Sequence, residues 1–146
     1  MKPHWILIAN ASYARLLQQQ GDAPLMVIKS FTHSEGRRSI GELTDDRAGH
    51  QSTDRSFGGT SYSPRTDAKH KERYRFAHEL AEHLERHAQR GSYESLAVFA
   101  SSPFLGELKA ELGSAATRLM SGTHDLDLTS VGPAELERRI ARELAH

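Results

Sequence analysis

Trp5-Ile6-Leu7-Ile8-Ala9 opens the chain with a compact apolar run, and two more runs follow at short range: Ala14-Arg15-Leu16-Leu17-Gln18-Gln19-Gln20 and Leu25-Met26-Val27-Ile28-Lys29-Ser30-Phe31. The first is rich in β-formers and is cut off at once by Asn10, Ser12 and Tyr13, so it reads as a buried strand rather than a helix. Gly21-Asp22 is a turn signal between the second run and the third. Parallel neighbours need a long crossover, and these runs lie only a few residues apart. The spacing therefore predicts an antiparallel meander of three strands.

Outward from that meander, residues 34–66 show no sustained periodicity, few large apolar side chains, and repeated Gly, Ser, Asp and Arg. A loop of this length inside a compact domain is uncommon, which marks it as a working or mobile segment. Its most distinctive part is Phe57-Gly58-Gly59-Thr60-Ser61-Tyr62-Ser63-Pro64-Arg65-Thr66-Asp67. The diglycine allows close backbone approach to another molecule. Asp67 is placed to cap a helix from about Lys69 to Arg90, with Ala77, Leu80, Ala81, Leu84 and Ala88 on one apolar face and Gly91 at its end.

Leu96-Ala97-Val98-Phe99-Ala100 reads as a fourth strand, with Ser101-Ser102-Pro103 capping a helix that buries Phe104, Leu105, Leu108 and Leu112. A break at Gly113-Ser114 precedes a short helical stretch through Leu119. His124 to Thr129 is expected as an edge strand, and Gly132-Pro133 starts a last helix with Leu136, Ile140 and Leu144 facing inward. Three early strands followed by strand-helix alternation predict an α/β domain, a mixed sheet with helices on its faces.

At 146 residues the chain fits one domain. Nineteen basic residues balance nineteen acidic ones, so overall charge offers no attraction to nucleic acid or membrane, and any basic patch must be local. Cysteine is absent, which excludes disulfides, thiolate chemistry and cysteine-containing zinc sites. The run at Trp5–Ala9 is too short for a signal-peptide core or a membrane span, and the expected location is the cytoplasm.

Several segments in order resemble the bacterial host attachment protein family. They are Trp5 to Ala11 with Ala14-Arg15 after it, Leu43-Thr44-Asp45-Asp46-Arg47-Ala48-Gly49, Pro64-Arg65-Thr66-Asp67, Pro103-Phe104-Leu105-Gly106, Leu128-Thr129 and Pro133-Ala134-Glu135-Leu136. The resemblance implies kinship with the middle domain of archaeo-eukaryotic class 1 release factors, and with it a ribonuclease H-like mixed five-stranded sheet. In those factors a Gly-Gly-Gln loop before a long helix enters the peptidyl-transferase centre of the ribosome. Gly58-Gly59 stands in that place here, and Arg75-Phe76-Ala77 matches a similar trio in the helix. Thr60 stands where the glutamine would be, and its shorter side chain lacks the glutamine's reach. The resemblance thus implies the topology without the peptidyl-tRNA chemistry.

Between Arg55 and Arg75 the bases Arg55, Arg65, Lys69, Lys71, Arg73 and Arg75 outnumber Asp67 and Glu72. Such a run beside a glycine loop suits RNA phosphates, with Phe57, Tyr62 and Tyr74 available for stacking on bases. The expected contact set is Gly58, Gly59, Arg65, Lys69 and Arg73, and the expected role is a non-catalytic binding or regulatory module for RNA or the ribosome. Two other classes compete with it. A hydrolase of phosphoesters or esters would use the loop aspartates Asp45 and Asp67 with His70, although Asn10 replaces the carboxylate a ribonuclease H-like first strand commonly supplies. A protein-interaction module would order the loop against a partner chain, and Asp45, Asp46, Arg47, Arg65 and Asp67 can equally pair internally. Glu79, His83 and His87 lie on one helical side, but no further ligand stands out, so they read as solvated surface and no metal or cofactor is expected.

Overall fold

The computed structural model describes residues 2–33 and 64–144, the side chains of residues 64–70 excepted. Strands β1 (His4–Ala9), β2 (Tyr13–Gln19) and β3 (Met26–Thr32) precede a long helix α1 (Pro64–Gln89). Then come β4 (Ser95–Ala100), α2 (Phe104–Glu111), α3 (Ser114–Leu119), β5 (Met120–His124) and α4 (Pro133–Leu144). The five strands form one sheet in the order β3-β2-β1-β4-β5. β1, β2 and β3 are an antiparallel meander, while β4 runs parallel to β1 and β5 parallel to β4. This is the mixed five-stranded α/β sheet that the residues and the resemblance both predict.

β1 reads as an unbroken apolar run because it lies at the sheet centre and is covered on both faces. Alternate residues go to different layers. Trp5, Leu7 and Ala9 pack with Phe76, Leu80 and Leu84 of α1 and with Phe104 and Leu108 of α2. Ile6 and Ile8 pack with Leu128 and with Leu136 and Ile140 of α4. Burying each such large side chain is worth about 1.5–3 kcal/mol, so a one-residue slip of β1 would exchange both layers at once.

Several expected boundaries move. α1 begins at Pro64 rather than near Lys69, because proline's fixed φ and missing N–H suit a first helical turn, and Asp67 therefore lies within the helix. At its other end Gly91 has φ +74°, with Gly91 N–H donating to Ala88 O (3.1 Å) and Ser92 N–H to His87 O (2.9 Å), the paired bonds of a Schellman ending. β5 ends at His124, where the sequence pattern predicts a strand beginning. Beyond it Asp127 Oδ1 accepts from Thr129 N–H (2.9 Å), a turn that drops Leu128 into the core. Ser102 does not cap α2, since its N–H and hydroxyl both donate to Asp125 (3.1 and 3.0 Å). Leu144 is exposed at the end of α4 instead of facing inward.

Candidate functional site

Parallel strands β1 and β4 end side by side at Ala9 and Ala100, and the carboxyl rim of such a pair is where α/β sheets place their ligand sites. Asn10 follows β1 directly. Its Oδ1 accepts from Ser12 N–H and Tyr13 N–H (2.9 Å each), and its Nδ2 donates to Thr129 Oγ1 (3.0 Å). Thr129 in turn donates to Asp127 (2.6 Å) and accepts at its carbonyl from Arg15 (3.1 Å). Asn10 thus fastens the β1–β2 loop to the turn before α4, and its polar groups are occupied within the protein.

The second part of the rim lies where β3 ends and α1 begins. His33 follows β3, with its N–H donating to Ser12 O (3.0 Å), which ties it to the same loop as Asn10. Its Nε2 meets Glu72 Oε1 of α1 at 2.8 Å, and its ring lies 5.3 Å from that of Phe76. Glu72 Oε2 accepts from Arg75 at 2.7 Å. At 8 % exposure Glu72 is the one buried charged residue among the described residues. The two ends of the chain that border residues 34–63 are therefore joined by a buried carboxylate and an imidazole. Sequence reasoning missed this pair. A signal existed, because Glu72 stands four residues before Phe76 and eight before Leu80, in register with the inward stripe.

Of the expected contact set, Gly58 and Gly59 lie outside the described residues, as do Asp45 and Asp46. Arg65, Asp67, Lys69 and His70 fall on the first turns of α1, with their side chains outside the description. Arg73 is described, and its guanidinium forks onto the Glu107 carboxylate of α2 through Nε (2.8 Å) and a terminal nitrogen (2.9 Å). That bond raises the Arg73 pKa further above its usual value, and it docks α2 on α1. Lys71, Tyr74, Arg75 and His78 are exposed at i, i+3, i+4 and i+7, one outward stripe of the helix. His78 Nδ1 pairs with Glu111 (2.9 Å), whose hydrogen bond raises its pKa.

His83 and His87 are not the solvated surface that their helical position suggests. His87 lies 5.4 Å and His83 6.3 Å from the Trp5 ring, Tyr93 stacks on Trp5 at 4.5 Å, and Phe31 meets His83 edge-on at 5.2 Å. Burial lowers the pKa of both, His83 to about 4; the charges of His87, Lys29 and Arg86 push His83 the same way, and those of Arg90, Arg86 and Lys29 push His87. Both rings are neutral at neutral pH and serve the aromatic core beneath β1. Among the described residues no three His, Asp or Glu side chains converge to hold a metal ion. Nor is any helix among them long and apolar enough to cross a membrane.

The model of a family described as "Protein required for attachment to host cells" matches residues 5–140. The chain belongs to this family. Among solved structures, the host attachment chain is similar to an archaeal translation termination factor, with TM-score 0.51 and 12 % identity. The likeness covers 98 % of this chain and 39 % of that one, so the chain spans about two fifths of the factor's length. A type IV pilus biogenesis complex, PilM–PilN, matches with TM-score 0.42 and 17 % identity, covering 94 % of this chain and 41 % of that one. Among curated proteins no sequence match is found. The termination factor shares the fold with this host attachment chain, the relation that the early resemblance implies.

Proposed function

We propose that this host attachment protein is a binding module, without catalysis of its own, that contacts single-stranded RNA or the ribosome through the outer face of α1 and the adjoining diglycine segment. The observation that carries this reading is the stripe Lys71, Tyr74 and Arg75, which presents two cations and an aromatic ring 46 % exposed, next to Arg65 and Lys69 in sequence. Cations at that spacing follow a phosphate backbone, and an exposed ring stacks on bases without demanding a sequence. The fold shared with a translation termination factor supports the same direction. On this reading the attachment in the family's description is reached indirectly, through regulation.

Within the contact set the roles divide. Gly58, Gly59, Arg65 and Lys69 contact the ligand, while Arg73 positions α2 through Glu107. The test is co-sedimentation with ribosomes and labelled single-stranded RNA across a salt series. The wild type is expected to bind with a salt-dependent affinity. Arg65→Ala/Lys69→Ala/Lys71→Ala should flatten the salt slope by about 2, at about 0.7 per cation for single strands. Tyr74→Ala should weaken binding by about 1–3 kcal/mol with the slope unchanged. No binding at low salt would refute the proposal. Ester or phosphoester turnover lost in Asp45→Ala, Asp67→Ala or His70→Ala would instead establish the hydrolase.

A further inference from the structure

Four of the six described histidine side chains have a carboxylate at 2.8–3.8 Å: His33 has Glu72, His78 has Glu111, His124 has Glu143 and His4 has Glu94. His83 and His87 have none, and their neighbours are cations. Arg86 stands three residues after His83 and Arg90 three after His87, so each imidazole has a guanidinium one helical turn on. Arg90 N–H still donates to Arg86 O (3.2 Å), which keeps that turn in place. From the facing strand, Lys29 brings its Nζ 5.4 Å from the Phe31 ring, Phe31 meets His83 at 5.2 Å, and the two imidazoles are 4.4 Å apart. β1 and β2 add only the uncharged Trp5 and Gln18. Of the acids on α1, Glu79 lies towards His33 (3.9 Å), and Glu82 makes no ion pair with Arg86 four residues on. Lys29, Arg86 and Arg90 are exposed and have no ion-pair partner among the described residues.

We propose that the seam between β3 and the second half of α1 binds a phosphate group, held by Lys29, Arg86 and Arg90, with His87 taking a proton from solvent as the anion enters. The dipole of α1 favours cations at its end and accounts for Arg86 and Arg90. It does not account for Lys29, which comes from β3. In a chain with nineteen charges of each sign, this unpaired cluster is a local excess of positive charge, and an oxyanion supplies the negative group that these imidazoles lack. His87 is the ring that takes the proton, because burial holds His83 down to about 4 and because Ser92 Oγ, 3.1 Å from His87 Nδ1, accepts a bond from the imidazolium. The site is distinct from the stripe at Lys71, Tyr74 and Arg75. Arg86 follows Arg75 by about three helical turns, so either site can fail without the other.

The test is NMR of the imidazole signals of the full chain, titrated with sodium sulfate against sodium chloride at equal ionic strength. Sulfate is the probe because its charge is constant where a phosphate ester titrates. The His83 and His87 signals should shift saturably with sulfate and not with chloride. Affinity should be about 3–10-fold tighter near pH 5.5 than near pH 7.5, since an anion beside the imidazole favours its charged form. Lys29→Gln/Arg86→Gln/Arg90→Gln, shown folded by circular dichroism, should lose about tenfold or more in affinity, and His87→Gln should remove the tightening at low pH. Displacement of sulfate by inorganic phosphate alone assigns a free ion, and displacement at lower concentration by a 5′-phosphorylated RNA trinucleotide assigns a strand. Equal shifts in sulfate and chloride, saturation unchanged in the triple variant, affinity independent of pH, or no displacement by either phosphate ligand would each overturn the proposal.

Discussion

Replacing Glu72 should separate α1 from the end of β3. Glu72→Ala removes the acceptor of two charge-assisted hydrogen bonds, from His33 at 2.8 Å and Arg75 at 2.7 Å. The His33 side chain is 12 % exposed and loses its partner where water scarcely reaches, a loss of about 1.5–2 kcal/mol. Arg75 is 63 % exposed and re-solvates, so its share is at most about 1 kcal/mol. The sum is about 1.5–3 kcal/mol. For a chain of 146 residues that is a fall in Tm of about 5–10 °C. His33→Ala should lose about 2 kcal/mol, including the contact of its ring with Phe76. The double variant His33→Ala/Glu72→Ala should lose less than the sum of the single changes by about 1 kcal/mol or more, since each single change leaves the other buried group unpaired and the double leaves neither. Urea unfolding of the four proteins measures the cycle. Additivity within about 0.5 kcal/mol, or a loss below that in Glu72→Ala, would refute the assignment of Glu72 as the buried link.

Acid should destabilise the wild type through His83. Its folded pKa of about 4 lies below the ordinary 6.5, so the unfolded chain takes up the proton first, and stability present above pH 6.5 is lost as pH falls towards 4. Discounted for its partial exposure the effect is about 1–2 kcal/mol, and the urea midpoint of the wild type should fall relative to that of His83→Leu as pH drops across that window. Glu85 caps α3 by accepting from Ala116 N–H (2.8 Å) and Ala115 N–H (3.2 Å), bonds that lower its pKa, so Glu85→Ala should lose about 1 kcal/mol. A methyl on Gly113 would stand 2.5 Å from Glu85 Oε1, so Gly113→Ala should displace that cap and show little further loss in the Glu85→Ala background, read by the same unfolding assay. Arg73→Lys should recover less than half of the stability lost in Arg73→Ala, because an ammonium cannot reproduce the fork on Glu107; equal stability of Arg73→Lys and wild type would contradict this.

Much of the architecture was legible because it rests on local pattern. The short spacing between the first three runs leaves room only for an antiparallel meander, and the unbroken apolar runs at β1 and β4 mark central strands. Boundaries set by single side chains were less legible. Ser102 has the chemistry of a cap, yet Asp125, twenty-three residues later, reaches it first. The candidate site was legible as a region and not as a geometry. The surplus of bases around α1 could be counted, but that Arg73 is engaged by Glu107 while Lys71 and Tyr74 face outward depends on where α2 docks.

The sequence by itself determined the class of fold, the order of the strands in the meander, the inward face of α1 and the membership of the family, because periodicity, turn residues and ordered motifs are properties of neighbouring positions. Only the tertiary structure decided that Glu72 pairs with His33 thirty-nine positions earlier, that Asn10 is bound to Thr129, and that His83 and His87 lie against Trp5. Each of those contacts joins residues far apart in the chain, and a side chain's charge and exposure are set by what folding brings beside it.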